Sequence, residues 1–302
     1  MMKKVVVLMS TFNGERFLEE QLNTLSSQEG VEVSLLVRDD GSSDSTQKIL
    51  DHRKESGSLN WYTGKNLKPA RSFLDLLINA PDAEYYAFCD QDDVWLPDKL
   101  ISAIGRLSKL DKEKPSLYFS AYQMVDSVLI PIETRLKEPK IDLYHALIDN
   151  AATGCTIVFN KALLKEARKY VPTYITMHDD WLYLLCLSLG GNVLYDNKSH
   201  ILYRQHEKNV VGGSKLSFIA RIKTRVKKMF LRGNRYRSRL ASEIISGYNN
   251  DIPEKNREII NTFVNYRKKW YRLSLAFNKN FYHGNSIEAN IRIFTMFITG
   301  KI

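Results

Sequence analysis

Three short carboxylate-bearing segments have the residue types and spacing to do chemistry: Asp39-Asp40-Gly41-Ser42-Ser43-Asp44, Asp90-Gln91-Asp92-Asp93 and Met177-His178-Asp179-Asp180-Trp181. At the second, three carboxylates within four residues repel one another unless a cation or strong hydrogen bonds compensate. A divalent cation held there can bind a diphosphate and stabilise it as it leaves, because negative charge grows on the phosphates as the bond breaks. A solvated turn, with Asp93 or Asp98 capping the helix near Pro97, is the plainer alternative. In the first segment an acceptor carboxylate can receive the imide N–H of uracil or thymine, although the same residues also suit an ordinary strand-to-helix turn. In the third, Asp179 or Asp180 can cap a helix.

The elements that must position these segments alternate. Val5 to Met9 and Val31 to Val37 read as strands, and between them Phe17, Leu18, Gln21, Leu22 and Leu25 repeat at helical spacing. A helix is predicted to start at Asp44, another around Ser72 to Ile78, a strand at Tyr85 to Cys89 and a helix after Pro97. Further on, strands are expected near Leu117 to Ser120 and Thr156 to Phe159, and helices near Lys161 to Lys169 and Trp181 to Leu189. This βαβα order predicts an α/β fold with a mostly parallel central sheet and helices on both faces. Ligands of such sheets sit beyond the carboxyl ends of the strands, where Ser10-Thr11-Phe12-Asn13, Asp39-Asp40-Gly41-Ser42 and Asp90-Gln91-Asp92-Asp93 all fall.

The composition of the 302 residues is that of an ordinary globular protein, 44% hydrophobic and 26% charged. No run of about 18 apolar residues predicts a membrane-spanning helix, and the N-terminus does not read as a signal peptide, so a cytoplasmic protein is expected. Cys89, Cys155 and Cys186 lack the close spacing of a zinc site and read as reduced, buried thiols. The net charge of +10 is unevenly spread: residues 215–302 hold 19 Lys/Arg against 5 Asp/Glu, whereas residues 1–214 hold 25 against 29.

Ser10-Thr11-Phe12-Asn13-Gly14-Glu15, Asp39 to Asp44 and Asp90-Gln91-Asp92-Asp93-Val94-Trp95 resemble, in order, the three N-terminal motifs of glycosyltransferase family 2, whose members share the nucleotide-binding, Rossmann-like GT-A fold. The resemblance runs over residues 3–213. It implies a donor site in which Ser10, Thr11 and Phe12 line base and ribose, Phe12 standing where tyrosine is more usual. It further implies that Asp40 holds the base, that Asn66 and Arg71 border the donor, and that Asp90-Gln91-Asp92 is the family's Asp-x-Asp motif. Asp92 is then the preferred ligand for Mg²⁺ or Mn²⁺, with Asp90 facing ribose or a metal-bound water and His206 a further candidate for the metal shell.

Inverting transfer needs one base to take the acceptor hydroxyl proton. By resemblance to the family's acidic acceptor-side segment this is Asp179, with Asp180 as competitor and His178 and Trp181 beside it; Gly154 and Cys155 fall in a loop similar to one near the acceptor. The stretches Asp90 to Lys99 and Tyr203 to Gly212 resemble the rhamnosyltransferase-like branch and tilt the donor toward dTDP-L-rhamnose, with a UDP-hexose or UDP-N-acetylhexosamine as the alternative. A sugar nucleotidyltransferase would carry a Gly-rich basic phosphate loop after its first strand, which Ser10 to Glu15 is not.

A domain division follows: residues 1–213, with a nucleotide-sugar half to about 115 and an acceptor half from 116, and a basic helical region over 214–302 with a hinge at Val211 to Ser214. From Lys215 to Leu240 there are ten Lys/Arg and no Asp/Glu, and Leu216, Ile219, Ile222, Val226, Met229 and Phe230 recur every three or four residues. Such a helix suits an anionic membrane surface, placing the enzyme on the inner face of the cell membrane beside a lipid-linked saccharide acceptor. It also suits packing on the catalytic domain. Nucleic-acid binding through the same cations leaves the acidic first domain and its three ordered motifs unexplained, and no nucleic-acid partner is expected.

Overall fold

The computed structural model describes residues 2–133, 138–206, 236–282 and 286–300. The first strand, β1 (Lys3–Thr11), explains the architecture. Its run Val5 to Met9 is buried on both sides, with Val6 and Leu8 entering one core and Val5, Val7 and Met9 the other. A strand apolar on both faces belongs in the middle of a covered parallel sheet.

β1 pairs in parallel with β2 (Val31–Asp39) and with β4 (Tyr85–Asp90), and β2 pairs in parallel with β3 (Asn60–Thr63). Beyond β4 the directions mix: β7 (Val158–Asn160) is antiparallel to both β4 and β6 (Ser116–Val125), β8 (Asn192–Arg204) is parallel to β6, and β5 (Val94–Trp95) is antiparallel to β8. The eight strands therefore run β3-β2-β1-β4-β7-β6-β8-β5 in one sheet. Leu18, Leu22 and Leu25 of α1 (Leu18–Ser26), Leu50 of α2 (Thr46–Glu55) and Leu100, Ala103 and Ile104 of α4 (Lys99–Leu107) cover one face. The other is covered by α3 (Lys68–Asn79), α5 (Leu143–Ile148), α6 (Lys161–Lys169) and α7 (His178–Ser188).

The register fixes the site. Thr11 lies opposite Asp39, and Ser10 opposite both Arg38 and Asp90, so the carboxyl ends of β1, β2 and β4 are level. All three polar loops then open on one edge.

Local differences from the sequence reading have local causes. α2 begins at Thr46 because the Asp44 carboxylate folds onto the Thr46 N–H (3.0 Å) and hydroxyl. The strand expected from Thr156 starts at Val158, since Gly154 to Thr156 form a 3₁₀ turn. α7 starts at His178, three residues before Trp181. β3 and β8 carry too many polar residues to read as apolar runs; β8 passes through Asp196-Asn197-Lys198 with a shift of register against β6.

The C-terminal helices α8 (Tyr236–Tyr248), α9 (Glu254–Val264), α10 (Lys269–Phe277) and α11 (Ile287–Thr299) are built into the same core as the sheet, through Leu240, Ile244, Tyr248, Phe263 and Phe297. The expected hinge, the 213/214 boundary and residues 215–235 of the basic helix expected over Lys215 to Leu240 lie outside the described residues.

Candidate active site

At the end of β1 each residue meets a neighbouring strand or helix. The Ser10 hydroxyl shares a hydrogen bond with that of Ser72 (2.6 Å), and the Thr11 hydroxyl donates to Asp39 (3.2 Å). The Phe12 backbone pairs twice with the Gln91 side-chain amide, its N–H donating to Oε1 (2.9 Å) and its carbonyl accepting from Nε2 (3.2 Å). Gln91 thereby ties the β1 loop to the acidic turn after β4. Gly14 makes this possible, because a Cβ there would overlap the Gln91 amide. The Phe12 ring remains 46% exposed at the edge, available to a planar base.

The two aspartates that end β2 divide their work. Asp39 is fully buried and holds the turn together, accepting from the Ser42 N–H (2.9 Å) and from the Gln47 amide (2.8 Å). Asp40 is 3% exposed, accepts the Leu67 N–H (3.0 Å) and forms an ion pair with Arg38. Both Asp40 oxygens thus face protein donors, and a base imide would share a lone pair with one of them. Arg38 also donates to Asp75 (3.0 Å) and to the Lys65 carbonyl (3.1 Å), fixing the loop after β3.

In the acidic turn the three carboxylates have different surroundings. Asp93 is buried; one oxygen accepts the Arg204 N–H (3.0 Å), the other has no hydrogen-bond partner, and burial followed by the charges of Asp92 and Asp90 holds its carboxyl well above the usual range. Asp90 is half-buried at the rim, and desolvation, then the charges of Asp92 and Asp179, push it up to about 7. Asp92 lies 2.8 Å from the His206 Nε2, the His206 ring resting against Phe17 with centroids 5.0 Å apart. Arg204 braces the turn from below, donating from Nε to the Asp92 carbonyl (2.8 Å) and from Nη2 to Glu20 (2.5 Å).

These residues fit a divalent cation. Their carboxylates are crowded and only partly neutralised, and carboxylate oxygens with one imidazole nitrogen are the donors that Mg²⁺ or Mn²⁺ accepts. Asp90, Asp93 and Cys155 also offer ligand atoms within 4.8 Å of one another. That inner group suits a hard cation less well, because burial raises the Cys155 thiol well above its ordinary range and keeps it protonated. Asp92 with His206 offers a second, carboxylate–imidazole pair at the same turn.

Across the cleft, α7 begins with a buried pair of carboxylates. Asp180 is bound by both Arg237 contacts (2.7 and 2.6 Å) and by the Thr176 hydroxyl (3.0 Å), which occupies it structurally. Asp179 is 9% exposed and accepts the Gly154 N–H (3.0 Å) and the Asp180 N–H (2.7 Å); burial first, then the charge of Asp180, push it up to about 7. A Cβ on Gly154 would come within 2.8 Å of the His178 ring, so glycine allows this close approach.

Other expected acceptor residues are placed elsewhere. His178 is enclosed between Phe73 (centroids 3.8 Å, stacked) and Phe88 (4.7 Å), and burial lowers it to about 3, so it is a neutral packing residue. Trp181 is fully buried against Tyr170 and Tyr248, two residues further round the helix than Asp179. Cys155 lies under the acidic turn, not beside an acceptor surface. On the donor side, Arg71 donates to the Thr173 carbonyl (2.7 Å), bracing the loop before α7, and Asn66 accepts the Lys68 N–H (3.0 Å) at the start of α3. Arg71 thus ties two distant segments together, and Asn66 is engaged within its own turn.

Residues 6–167 match the family model described as Glycosyl transferase family 2. The chain belongs to glycosyl transferase family 2. It is 30% identical over 229 residues to the dTDP-rhamnosyl transferase RfbG of Shigella flexneri, covering 71% of this chain and 77% of that protein. It is 26% identical over 162 residues to the UDP-Glc:alpha-D-GlcNAc-diphosphoundecaprenol beta-1,3-glucosyltransferase WfgD of Escherichia coli, covering 53% and 61%. Its fold is similar to that of residues 1-349 of S. aureus TarS in complex with UDP-GlcNAc (TM-score 0.59, 17% identity, 99% of this chain and 82% of that one). The mannosyltransferase PcManGT of Pyrobaculum calidifontis, in complex with GDP-Man and Mn2+, is also similar (TM-score 0.56, 14% identity, 99% and 74%). The GT-A fold is thereby established for this glycosyltransferase.

Four residues that organise the glycosyltransferase site escaped the sequence reading: Arg38, Lys99, Arg204 and Arg237, all buried cations. Lys99 lies beneath the acidic turn with its Nζ 3.4 Å from the Trp95 ring centroid, and burial lowers it to about 8. An arginine in sequence reads as a surface charge, and only its partner, 57 residues away for Arg237 and Asp180, reveals otherwise. The one available signal was position, since Arg204 directly follows the apolar Ile201-Leu202-Tyr203.

Proposed function

We propose that this glycosyltransferase moves L-rhamnose from dTDP-L-rhamnose, with inversion, to a lipid-linked saccharide in cell-surface polysaccharide synthesis. The observation that carries the reading is the meeting of two turns: Asp90, at the end of β4, lies with Cys155 in a group of ligand atoms within 4.8 Å of one another, and Asp179 of α7 accepts the N–H of the adjacent Gly154 (3.0 Å).

Asp92 would hold Mg²⁺ or Mn²⁺ with Asp90 and His206, and the bound cation supplies neutralisation of the diphosphate leaving group. Phe12 stacks on the base, Ser10 and Thr11 line it, and Asp40, oriented by Arg38, receives the imide. Asp179 takes the proton of the acceptor hydroxyl as that oxygen bonds to the anomeric carbon and the bond to the diphosphate breaks on the opposite side. One base suffices because the enzyme forms no covalent intermediate.

The rhamnosyl donor is supported by the similarity to RfbG. A UDP-sugar donor is the second reading, favoured by the similarity to WfgD and by the fold shared with TarS. No helix among the described residues is long and apolar enough to cross a membrane; peripheral approach to a lipid-linked acceptor at the inner membrane face is part of the proposal. A donor panel with Mg²⁺ or Mn²⁺, read as hydrolysis and as protection from thermal unfolding, tests the reading: dTDP-rhamnose should give the largest response, and a larger one with a UDP-sugar would replace the donor.

A further inference from the structure

α11 is apolar on two faces. Ile293 and Phe297 enter the core, where Phe297 meets Phe263 and Phe281. Ile287, Ile291, Phe294 and Ile298, spaced by four, three and four residues, form a second stripe that is 78%, 62%, 40% and 40% exposed. A helix apolar all round is ordinarily covered all round. On α10, Trp270 (83% exposed) and Phe277 (71%) lie two helical turns apart on one side, and the Phe277 and Phe294 rings, 6.0 Å apart, join the two stripes into one ridge. An apolar surface of this extent marks an interaction site.

The surrounding charge identifies the partner. Residues 266–302 hold seven Lys/Arg and one Asp/Glu. Arg267, Lys268, Lys269, Arg272, Lys279 and Arg292 form no salt bridge among the described residues. A second copy docked by a twofold contact would set these cations against their own equivalents. An anionic bilayer complements them, and a tryptophan with aliphatic residues edged by cations is the composition of a helix lying in the headgroup region. At 13 residues α11 is too short to cross.

We propose that the α10–α11 face docks the protein on an anionic lipid bilayer, with Trp270, Phe277, Ile287, Ile291, Phe294 and Ile298 entering the headgroup–acyl boundary. This surface is distinct from the basic stretch over Lys215 to Leu240. Only its purpose, delivery to a lipid-linked acceptor, rests on the proposed function.

The test is co-sedimentation of the full chain with vesicles of phosphatidylcholine plus phosphatidylglycerol, and of phosphatidylcholine alone. The wild type should pellet with the mixed vesicles far more than with phosphatidylcholine. W270S/I287S/I291S should lower that partitioning by about tenfold or more, with an unchanged melting temperature because all three side chains are exposed. Trp270→Ser alone should give a smaller loss in the same direction. Unchanged partitioning of the triple variant would overturn the proposal, as would a wild-type dimer that the triple variant converts to a monomer. Partitioning abolished by reversing Lys223, Arg225, Lys227 and Lys228 yet untouched by the triple variant would also overturn it. Sugar transfer to a water-soluble acceptor, measured in parallel, is a separate readout: its absence in a wild type that still binds vesicles defeats the transferase reading and supports the surface.

Discussion

The acidic turn after β4 and the start of α7 each present neighbouring aspartates, and each binds one of them to an arginine from a distant element. Asp93 receives the Arg204 N–H and Asp180 the Arg237 guanidinium. The difference lies in what is neutralised. Arg204 directs its side chain to the carbonyls of Asp92 and Ser127 and to Glu20, and in the acidic turn desolvation, then the charges of Asp92 and Asp179, raise Asp90 to about 7. Arg237 neutralises Asp180 directly, and Asp179 alone is left as a buried carboxylate at about 7. The proposed function gives the cation to one turn and the proton to the other.

The largest expected effect tests the proton side. Asp179→Asn should lower kcat by about 10²–10⁴-fold, the usual contribution of a general base, and Asp180→Asn should not reproduce this with the fold intact. With the wild type, kcat should rise with pH through about 7, as the carboxyl that burial holds protonated gives up its proton. Stability runs the other way. Between the ordinary aspartate value of 3.8 and about 7 the folded state keeps a proton the unfolded chain has released, so stability falls as pH rises through that window. Thermal melts of the Asp179→Asn variant should show a shallower decline, the remainder coming from Asp90 and Asp93, whose carboxyls are also raised.

Removing the buried neutraliser comes next. Arg237→Met strands the Asp180 charge and two backbone carbonyls, of Leu147 and Ala146, and should cost about 3–5 kcal/mol in chemical denaturation. Arg204 can be compared at the other turn: its side chain donates to the carbonyls of Asp92 and Ser127 and to Glu20, so Arg204→Met should act mainly on the geometry of the acidic turn and weaken metal-dependent donor binding. Equal loss of stability in both variants would erase the distinction drawn between the turns. The smallest effect belongs to Phe12→Ala, which removes a half-exposed stacking face and should raise KM for the donor by about tenfold with kcat little changed.

The two turns were not equally legible in the sequence. β1 and β4 could be read because their apolar runs are buried on both faces, and once they are placed the parallel register brings Ser10 level with Asp90. The acceptor side could not be placed in the same way. α7 buries residues all around, including His178 and Trp181, so its sequence carries no sign of which side faces the cleft. The resemblance preferred Asp179, but the physical reason that sets Asp180 apart is Arg237, inside the long basic stretch, where a buried guanidinium looks like any other cation. The same ambiguity covers α11, whose outer and inner stripes are both apolar.

The division of labour is tested most directly by measuring affinity for the donor's nucleoside diphosphate, with and without Mg²⁺ or Mn²⁺, beside single-turnover transfer in Asp92→Asn and Asp179→Asn. Asp92→Asn should lose the metal-dependent part of the affinity together with transfer. Asp179→Asn should keep its affinity within about twofold while transfer is lost. If the two variants lose affinity and transfer alike, or if a strong chelator leaves transfer unchanged, the assignment of cation to one turn and proton to the other is contradicted.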